Sequence, residues 1–406
     1  MALDLTAFNY ALKEMYPDIV GELTMWDKPV LSMIPKRTDF TGESYQQPTQ
    51  YANNAGRAGT LALAQASANG AKGVQFSITT ALDYGVIQIS GETIRASGGG
   101  DMSRSQARAF LEARKNEIKS TTEALMQSLS HGVFREGNGV RGQRASISSN
   151  TITLTNAHDG IFWDVGMVMG AVASDLTTLR VGTSAVTAVS RGPTTTTVTV
   201  ASAAAIASFA DNDYLYVSGD FGTRIKGFGA WVPSTAPTST SFFGVDRSVD
   251  TSRLGGLRYA GTEPIVERLV NAEAFARVQG AKLDIIALHP TQMANIKNTL
   301  GDKIRYVDRK SADARFSFKV VEMDTQYGTV SLVPDPSCPA TTAYGLQLDT
   351  WKLVSRGECP GPLDHLGASP GQFFTLTTSD GIEGRYGYYA NLACSAPGYN
   401  INISLA

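Results

Sequence analysis

The segment of residues 51–72 constrains the fold of this chain more than any other part of the sequence. It carries almost no charge and few large apolar side chains, and it separates two stretches that are typical of strands. The leading stretch covers about residues 36–50, and the returning one starts at residues 74–78 and continues through residues 86–89. Connections longer than ~12–15 residues within a compact domain are generally functional or disordered, and a two-stranded ribbon is only marginally stable alone. We therefore predict an extended β-ribbon, residues 36–92, that completes its fold on a neighbouring copy of the protein.

This ribbon supplies most of the candidate contacts between subunits. They lie in the long loop and at its ends: Tyr51, Asn54, Arg57, Leu61, Leu63 and Lys72. Glu383 and Arg385, near the end of the chain, are two further candidates, because an ion pair between them would suit a subunit contact. An exposed pair is the commoner case, and such a pair contributes little to stability.

The composition favours assembly over nucleic-acid binding. Of the 406 residues, 42% are hydrophobic and 18% are charged, against a usual charged share of about 25%. With so few charges, we expect partners to cover much of the surface. The formal net charge is -2 and no run of Lys or Arg is present, whereas a protein that grips phosphate backbones needs a concentrated basic face. The length allows roughly two or three domains of ~100–200 residues each.

Neither a disulfide framework nor a membrane anchor is expected. The three cysteines, Cys338, Cys359 and Cys394, are odd in number and form no CxxC pair, so buried thiols in a reducing compartment are the simplest interpretation. The N-terminus is acidic and lacks an apolar core, and no stretch reaches ~18 apolar residues. We expect a soluble protein that is made and used without export and has no membrane partner.

The strongest helix pattern covers residues 103–134. Ser103 followed by Gln106 fits a capping box, and apolar residues recur through the segment near the helical period. Glycines at 98–100 precede the helix, and Gly137 marks its end. At 1.5 Å per residue such a helix is roughly 45–50 Å long, compared with an average of ~11–12 residues in globular proteins. We interpret it as a strut with one buried stripe.

The remaining sequence divides into an all-β insert, a connector and an α+β region. Residues 142–220 contain short strands rich in Thr and Val, which predict a barrel or a sandwich; these strands are at 151–155, 178–181, 194–200 and 214–217. Residues 221–260 predict an extended connector, because they carry prolines and a Ser/Thr cluster. Residues 261–379 interleave helices and strands and predict an α+β domain, and a final pair of strands, at 384–394 and 399–404, closes the chain.

No motif predicts a catalytic, cofactor or metal site. Residues 137–142 spell GxGxxG, but the dinucleotide fingerprint needs a strand before it and a helix after it. Here a helix precedes and a β region follows, so a helix terminator and linker is the better interpretation. The four histidines, His131, His158, His289 and His365, are scattered, and His289 is expected to shape a strand-to-helix turn. Residues 211–213 resemble part of a calcium loop without its later glycine and glutamate, which favours a solvated turn.

The order of these elements resembles the major capsid proteins of tailed bacteriophages, which have the Hong Kong 97-type coat fold. In that family an N-terminal arm leads into a long β-ribbon, a long spine helix with a peripheral region, a central α+β domain and closing peripheral strands. The corresponding segments here are residues 1–35, 36–92, 93–141, 261–379 and 380–406, in that order. The resemblance implies an α+β capsid fold, with the small all-β domain at 142–220 as an insertion.

The resemblance implies a structural protein, not an enzyme, that self-assembles into an icosahedral head shell of hexamers and pentamers. Such a shell encloses double-stranded phage DNA without sequence-specific binding, is assembled in the host cytoplasm and becomes the virion capsid. Scaffold, portal and decoration proteins are the further partners that the family implies. Some members cross-link a loop lysine to a neighbour's asparagine, but here only Lys72 lies beyond the base of the loop, so no covalent lattice is expected. Two alternatives stay open: a phage tail or other virion β-protein, and a nucleotide-binding enzyme that uses residues 137–142.

Overall fold

The computed structural model describes residues 27–90, 92, 104–300, 306–309, 318–325, 328–363, 374–375 and 380–405. Some predicted features lie outside these residues. They are the N-terminal arm up to residue 26, the glycines at 98–100, the helix cap at Ser103, and His365.

The described residues form short and long helices and many strands. The α-helices are α1 Pro29–Met33, α2 Leu61–Ala66, α3 Arg104–Phe134, α4 Phe228–Trp231, α5 Ile265–Val278 and α6 Pro290–Leu300. The strands up to the connector are β1 Lys36–Arg37, β2 Tyr45–Ala52, β3 Lys72–Ile78, β4 Ala81–Ser90, β5 Val140–Ser148, β6 Thr151–Leu154, β7 Val168–Val172, β8 Ser184–Arg191, β9 Thr196–Val200 and β10 Tyr214–Val217. The later strands are β11 Ser241–Phe242, β12 Val245–Asp246, β13 Leu257–Tyr259, β14 Ile285–Leu288, β15 Tyr306–Arg309, β16 Phe318–Thr325, β17 Gly328–Pro334, β18 Thr342–Leu346, β19 Trp351–Ser355, β20 Gly361–Pro362, β21 Phe374–Thr375, β22 Gly381–Cys394 and β23 Ile401–Ser404.

These strands form two large open sheets, a closed barrel, the ribbon and a small two-stranded sheet of β11 and β12. The six-stranded sheet has the order β1-β19-β22-β20, and β21 and β4 also pair with β22. The seven-stranded sheet has the order β13-β23-β18-β14-β17-β16-β15. The barrel closes in the order β10-β5-β6-β9-β8-β7, and β2 pairs with β3 in the ribbon. The predicted α+β fold class is confirmed.

The spine helix α3 ends at Phe134, as predicted, and packs on the inner face of β4. Its buried stripe includes Leu125, Leu129 and Val133, which are spaced four residues apart along one helix face. Gly85 of β4 lies against this helix, and a Cβ atom added there would clash with Thr121. A glycine at this position therefore lets the sheet approach the helix closely.

The ribbon is shorter than predicted. The chain leaves it after Ile78, and β4, which is predicted to continue the ribbon, instead pairs antiparallel with β22 over ten residue pairs. At the other end, β1 pairs with β19 in the same six-stranded sheet. Pairing with a multi-stranded sheet stabilises these strands more than an isolated ribbon does. The prediction of one continuous ribbon over residues 36–92 is therefore wrong at both ends.

The inserted domain is a closed barrel with a core of its own. That core includes Ile152, Trp163, Val198 and Leu215, none of which has solvent-exposed area. The predicted strand at 178–181 is reduced to one antiparallel bridge, between Leu179 and Val172 of β7, because Asp175 accepts hydrogen bonds from the backbone of Thr177 and Thr178 and turns the chain just before it. Two barrel strands that the sequence did not predict, β7 and β8, flank this turn.

The two strands that close the chain do not pair with each other. β22 is an inner strand of the six-stranded sheet, whereas β23 lies between β13 and β18 in the seven-stranded sheet. β19, which the sequence did not predict, pairs with the second half of β22. The two predicted closing strands, at 384–394 and 399–404, correspond to β22 and β23, and each takes its partners from a distant part of the chain.

Candidate assembly surfaces

The base of the ribbon is fixed to the body of the subunit. Phe76 and Ile78 of β3 have no exposed area and belong to the main core. On β2, Thr49 donates a hydrogen bond from Oγ1 to the backbone oxygen of Ser395 at 2.9 Å. A guanidinium Nη1 of Arg253 donates to the backbone oxygen of Tyr51 at 2.6 Å. Tyr51 itself is half-buried against the core, so the free part of the ribbon begins beyond it.

The tip of the ribbon, residues 52–72, extends beyond these contacts. It contains the short helix α2, in which Leu61 is 75% exposed and Leu63 is 63% exposed. The side chains of Asn54, Arg57 and Lys72 are exposed too, and Asn54 accepts a hydrogen bond from the backbone of Gly56 in a local turn. Large exposed apolar side chains on a projecting element are typical of a protein interface.

A second apolar surface lies on the outer face of β4. We call it the β4 stripe; it consists of Leu82, Tyr84 and Val86, with exposures of 41%, 54% and 52%, and of Tyr389 on β22 opposite Leu82. The rings of Tyr84 and Tyr389 lie 6.0 Å apart and nearly perpendicular. The alternate residues of β4, Ala81, Asp83 and Ile87, are buried against the spine helix side of the sheet.

Polar side chains border the β4 stripe at one end. Glu383 and Arg385 form an ion pair with an Nε to Oε1 distance of 2.5 Å, and Gln88 of β4 donates to the other carboxylate oxygen of Glu383 at 2.9 Å. The hydrogen bonds from Arg385 and Gln88 lower the pKa of Glu383. Glu383 and Arg385, which are predicted as contacts between subunits, thus pair within one subunit. They lie beside β4, which is predicted to continue the ribbon.

The glycine-rich segment 137–142 is a joint between α3 and the barrel. Gly137 and Gly139 have φ angles of +91° and +72°, a region that favours glycine. β5 begins at Val140, so a strand follows this segment instead of the helix that a dinucleotide site needs. The interpretation as a helix terminator and linker is confirmed.

The predicted turn at residues 211–213 is solvated only in part. Asp211 is exposed, as predicted, but Asp213 is 1% exposed and accepts two hydrogen bonds from the guanidinium of Arg180, at 2.7 and 2.8 Å. The prediction of a solvated turn is wrong for Asp213, because this bidentate pair anchors the returning chain to the barrel.

Other site types find no support in the described part of the chain. There, no three His, Cys, Asp or Glu side chains are grouped so that they could hold a metal ion. Among the same residues, none of the helices combines the length and the apolar character that crossing a membrane requires. Cys338, Cys359 and Cys394 are all buried and free.

One family model matches the chain, and several solved structures are similar to it. The family model of the SU10 major capsid protein matches residues 3–359 of the 406-residue chain. Among solved structures, the capsid asymmetric unit of cyanophage A-1(L) is similar over 99% of both chains, with 12% identity and a TM-score of 0.54. The holo-SrpI encapsulin of Synechococcus elongatus PCC 7942 has 9% identity and a TM-score of 0.45, over 100% of this chain and 96% of its own. The capsid of Myoviridae phage XM1 has 7% identity and a TM-score of 0.45, over 96% of this chain and 94% of its own.

At these identities the first structural similarity supports the fold alone. No curated protein sequence matches the chain. The family match, however, covers most of the sequence and includes the ribbon, the spine helix, the barrel and most of the central region. The chain therefore belongs to the SU10 major capsid protein family.

Proposed function

We propose that copies of this major capsid protein join in the icosahedral head shell by placing the ribbon tip of one copy on the β4 stripe of the next. The observation that carries this proposal is that one subunit presents two separate apolar surfaces. Leu61 and Leu63 project on the tip, and Leu82, Tyr84 and Val86 are exposed on the outer face of a sheet. Burying a leucine at such a contact contributes about 1.5–3 kcal/mol.

The contact is heterologous, because the ribbon tip and the β4 stripe are different surfaces. Each copy offers its tip to one neighbour and its stripe to another, so the same contact repeats around a ring and closes when the rotation per copy fits. Hexamers and pentamers formed in this way build the shell. The net charge of -2 suits a wall that encloses double-stranded DNA without sequence-specific binding. Assembly then takes place in the host cytoplasm, with scaffold, portal and decoration proteins as further partners.

The first experiment shortens the ribbon. Replacing residues 54–69 with a short Gly-Ser turn removes the tip but keeps Phe76 and Ile78 in the core. We expect a soluble subunit with parental circular dichroism and melting, and no shells, or fragile ones, in negative-stain electron microscopy. Assembly like that of the parent would refute the role of the tip.

Point variants then separate the two surfaces. Leu61→Ser with Leu63→Ser tests the tip, and Val86→Ser tests the β4 stripe. Val181→Ser is the matched control, because Val181 is 81% exposed on the barrel. We expect both test variants to lower the yield of shells roughly tenfold or more, since each loses at least about 1.4 kcal/mol per contact, while the control assembles normally. Loss of assembly only in the tip variant would show that the tip binds a different surface.

A further inference from the structure

The contact between the barrel and the rest of the subunit gathers three of the four histidines of the chain. His131 belongs to α3, His158 to the 3₁₀ helix Ala157–Phe162 of the barrel, and His289 to the turn before α6. The fourth, His365, lies outside the described residues. We call this contact the barrel junction; Phe162, 5% exposed, lies at its centre against the ring of His131, with a centroid distance of 4.3 Å.

Across the junction, the rings of His158 and His289 lie against each other at a tilt of 43°. Their ring centroids are 4.5 Å apart, and Nε2 of His158 lies 3.4 Å from the hydroxyl of Thr291. His289 is 8% exposed and accepts a hydrogen bond at Nδ1 from the backbone N–H of Thr291, at 3.2 Å. This bond caps the first turn of α6, as the sequence predicts for a residue that shapes the turn.

Two of the three rings must be uncharged in this arrangement. Nδ1 of His289 accepts the bond from Thr291, and Nε2 of His131 accepts a bond from Nε of Arg135 at 3.2 Å. An imidazolium has only donors, so protonation at either acceptor nitrogen breaks the bond. Protonation of His131 also places a positive charge near Arg135. Protonation of His289 places one near Arg135 and beside the imidazole of His158.

Several other charged or titratable groups surround the junction. They are Arg135 and Glu136 just after α3, Arg141 of β5, Asp159 of the 3₁₀ helix, Arg224 of the connector, and Cys338 after β17. Arg135 pairs with Asp159 at 3.3 Å. Arg141 and Arg224 in turn pair with Asp220 and Asp83, which offset their charge. Arg135, which donates to His131, opposes the charging of that ring most directly.

We propose that the barrel junction is an acid-sensitive latch, which holds the barrel against α3 and α6 at neutral pH and releases the folded barrel when its histidines take up protons. The barrel can leave as a unit because its core is separate from the main core. The glycine joint at residues 137–139 gives the chain freedom to move at that point.

The direction of the pH effect follows from the histidines. Burial, followed by the charges of His158 and Arg135, lowers the pKa of His289 from 6.5 to about 4, and burial lowers the pKa of His131 as well. In the released state these groups regain ordinary values, so that state binds more protons and gains population as the pH falls from about 6.5 towards 4. For His289 alone the docking equilibrium changes about tenfold per pH unit in this window.

Asp159 acts in the opposite sense. Burial raises its pKa, so the docked state binds a proton at this carboxyl more readily than the released state does. Two histidines thus favour release at low pH and one carboxyl favours docking, and the proposal is that release on acidification is the net effect.

Hydrogen exchange of the full-length subunit tests the latch. Exchange is measured at pH 7.5 and pH 5.0, corrected for the intrinsic rate at each pH, in peptides that cover residues 157–163 and the start of α6. Strands β6 and β9 are the internal reference for an intact barrel. In the wild type we expect junction protection to fall about tenfold or more at pH 5.0, while β6 and β9 stay protected.

The matched variants are His131→Gln with His289→Gln, in which the glutamine oxygen can accept the bonds from Arg135 and Thr291 but no titratable ring remains at these two positions. They should show little change in junction protection between the two pH values. If the double variant fails to fold, His289→Gln alone serves, and it should lose less junction protection at pH 5.0 than the wild type because one of the two titrating rings is gone. An equal loss of junction protection in wild type and variant would overturn the proposal. So would loss of protection in β6 and β9 together with the junction, since that result means acid unfolding.

Discussion

Trp351 and Asn400 join the two large sheets through a hydrogen bond from the indole Nε1 to the side-chain Oδ1, 2.7 Å long. Neither residue has exposed area. Oδ1 of Asn400 also accepts the backbone N–H of Gln347 at 2.9 Å, and Nδ2 donates to Thr350 and to the backbone of Ala396, both at 3.1 Å. Every hydrogen-bonding position of this buried amide is used at the point where β19 and β23 come together.

We expect Asn400→Leu to destabilise the subunit by about 3 kcal/mol or more. The change leaves the indole N–H and the N–H of Gln347 buried without partners, and each such group costs about 1–3 kcal/mol. Denaturant unfolding of unassembled subunits measures the effect. Asn295→Leu is the control, because Asn295 is exposed on α6, and it should change the free energy of unfolding by less than about 0.5 kcal/mol. Equal stability of the two variants would contradict the structural role of Asn400.

Asp335 should make stability fall as the pH rises. Its carboxylate accepts hydrogen bonds from the backbone of Val30 and Ser337, but burial raises its pKa from 3.8 to about 6. The folded state therefore binds more protons than the unfolded state between these values, so the free energy of unfolding decreases with rising pH. Asp335→Asn lacks this titrating group. Between pH 5.0 and pH 7.5 its free energy of unfolding should therefore rise by about 1 kcal/mol relative to that of the wild type.

Denaturant unfolding at both pH values checks this prediction. Asp349→Asn, at an exposed position in the turn before β19, is the control and should leave the difference constant. If the free energies of unfolding of Asp335→Asn and wild type differ by the same amount at both pH values, burial does not raise the pKa of this carboxyl.

The sequence predicts elements whose stability is local and misses pairings that depend on distant segments. The end of α3 at Phe134 and much of the barrel follow from periodicity and turn residues. The alternation at residues 74–89 looks like one strand, but β4 pairs with β22 some 300 positions later. No local signal marks the break after Ile78, since both strands carry the same apolar alternation.

The same limit applies to the candidate surfaces. The exposed Leu61 and Leu63 follow from the ribbon loop, which the sequence identifies. Leu82, Tyr84 and Val86 alternate with Ala81, Asp83 and Ile87, and the pattern cannot tell which set is buried. Ala81, Asp83 and Ile87 are the buried set because α3 packs on their side of the sheet. His131, His158 and His289 are likewise scattered in the sequence and meet only because the barrel docks on the body.

Assembled particles should contain no covalent links between subunits. Lys72 is exposed at the base of the loop, but no other lysine lies in the tip. Burial raises the pKa of Cys359 and of Cys394 to about 12 and also raises that of Cys338, so reactive thiolates are scarce at neutral pH. Particles boiled in detergent should run as one band near 43.2 kDa.

The gel result distinguishes the two kinds of link. A ladder of multimers that persists under reducing conditions would contradict the prediction for lysine. A ladder that disappears on reduction would instead show that the cysteines react. Labelling with iodoacetamide at pH 8, slow in the native subunit and fast after denaturation, is the control for the burial of the thiols.

The barrel should fold by itself when cut at the correct joints. Its core residues Trp163, Val198 and Leu215 have no exposed area, and the backbone N–H of Gly222 donates to the oxygen of Asn138 at 3.2 Å, so the two ends meet. A fragment of residues 137–222 should give strand-type circular dichroism and a cooperative melt. A disordered spectrum would contradict an independent domain.

A shorter fragment, residues 142–220, tests where the domain begins. It lacks Val140, which pairs with Tyr216, and Arg141, which donates to the oxygen of Phe162 at 3.0 Å and pairs with Asp220 at 3.1 Å. Losing these interactions costs about 2 kcal/mol, which lowers the melting temperature of a domain this size by roughly 10 °C. Equal melting temperatures of the two fragments would mean that Val140 and Arg141 do not stabilise the barrel. These residues would then serve only to connect the barrel to the spine helix.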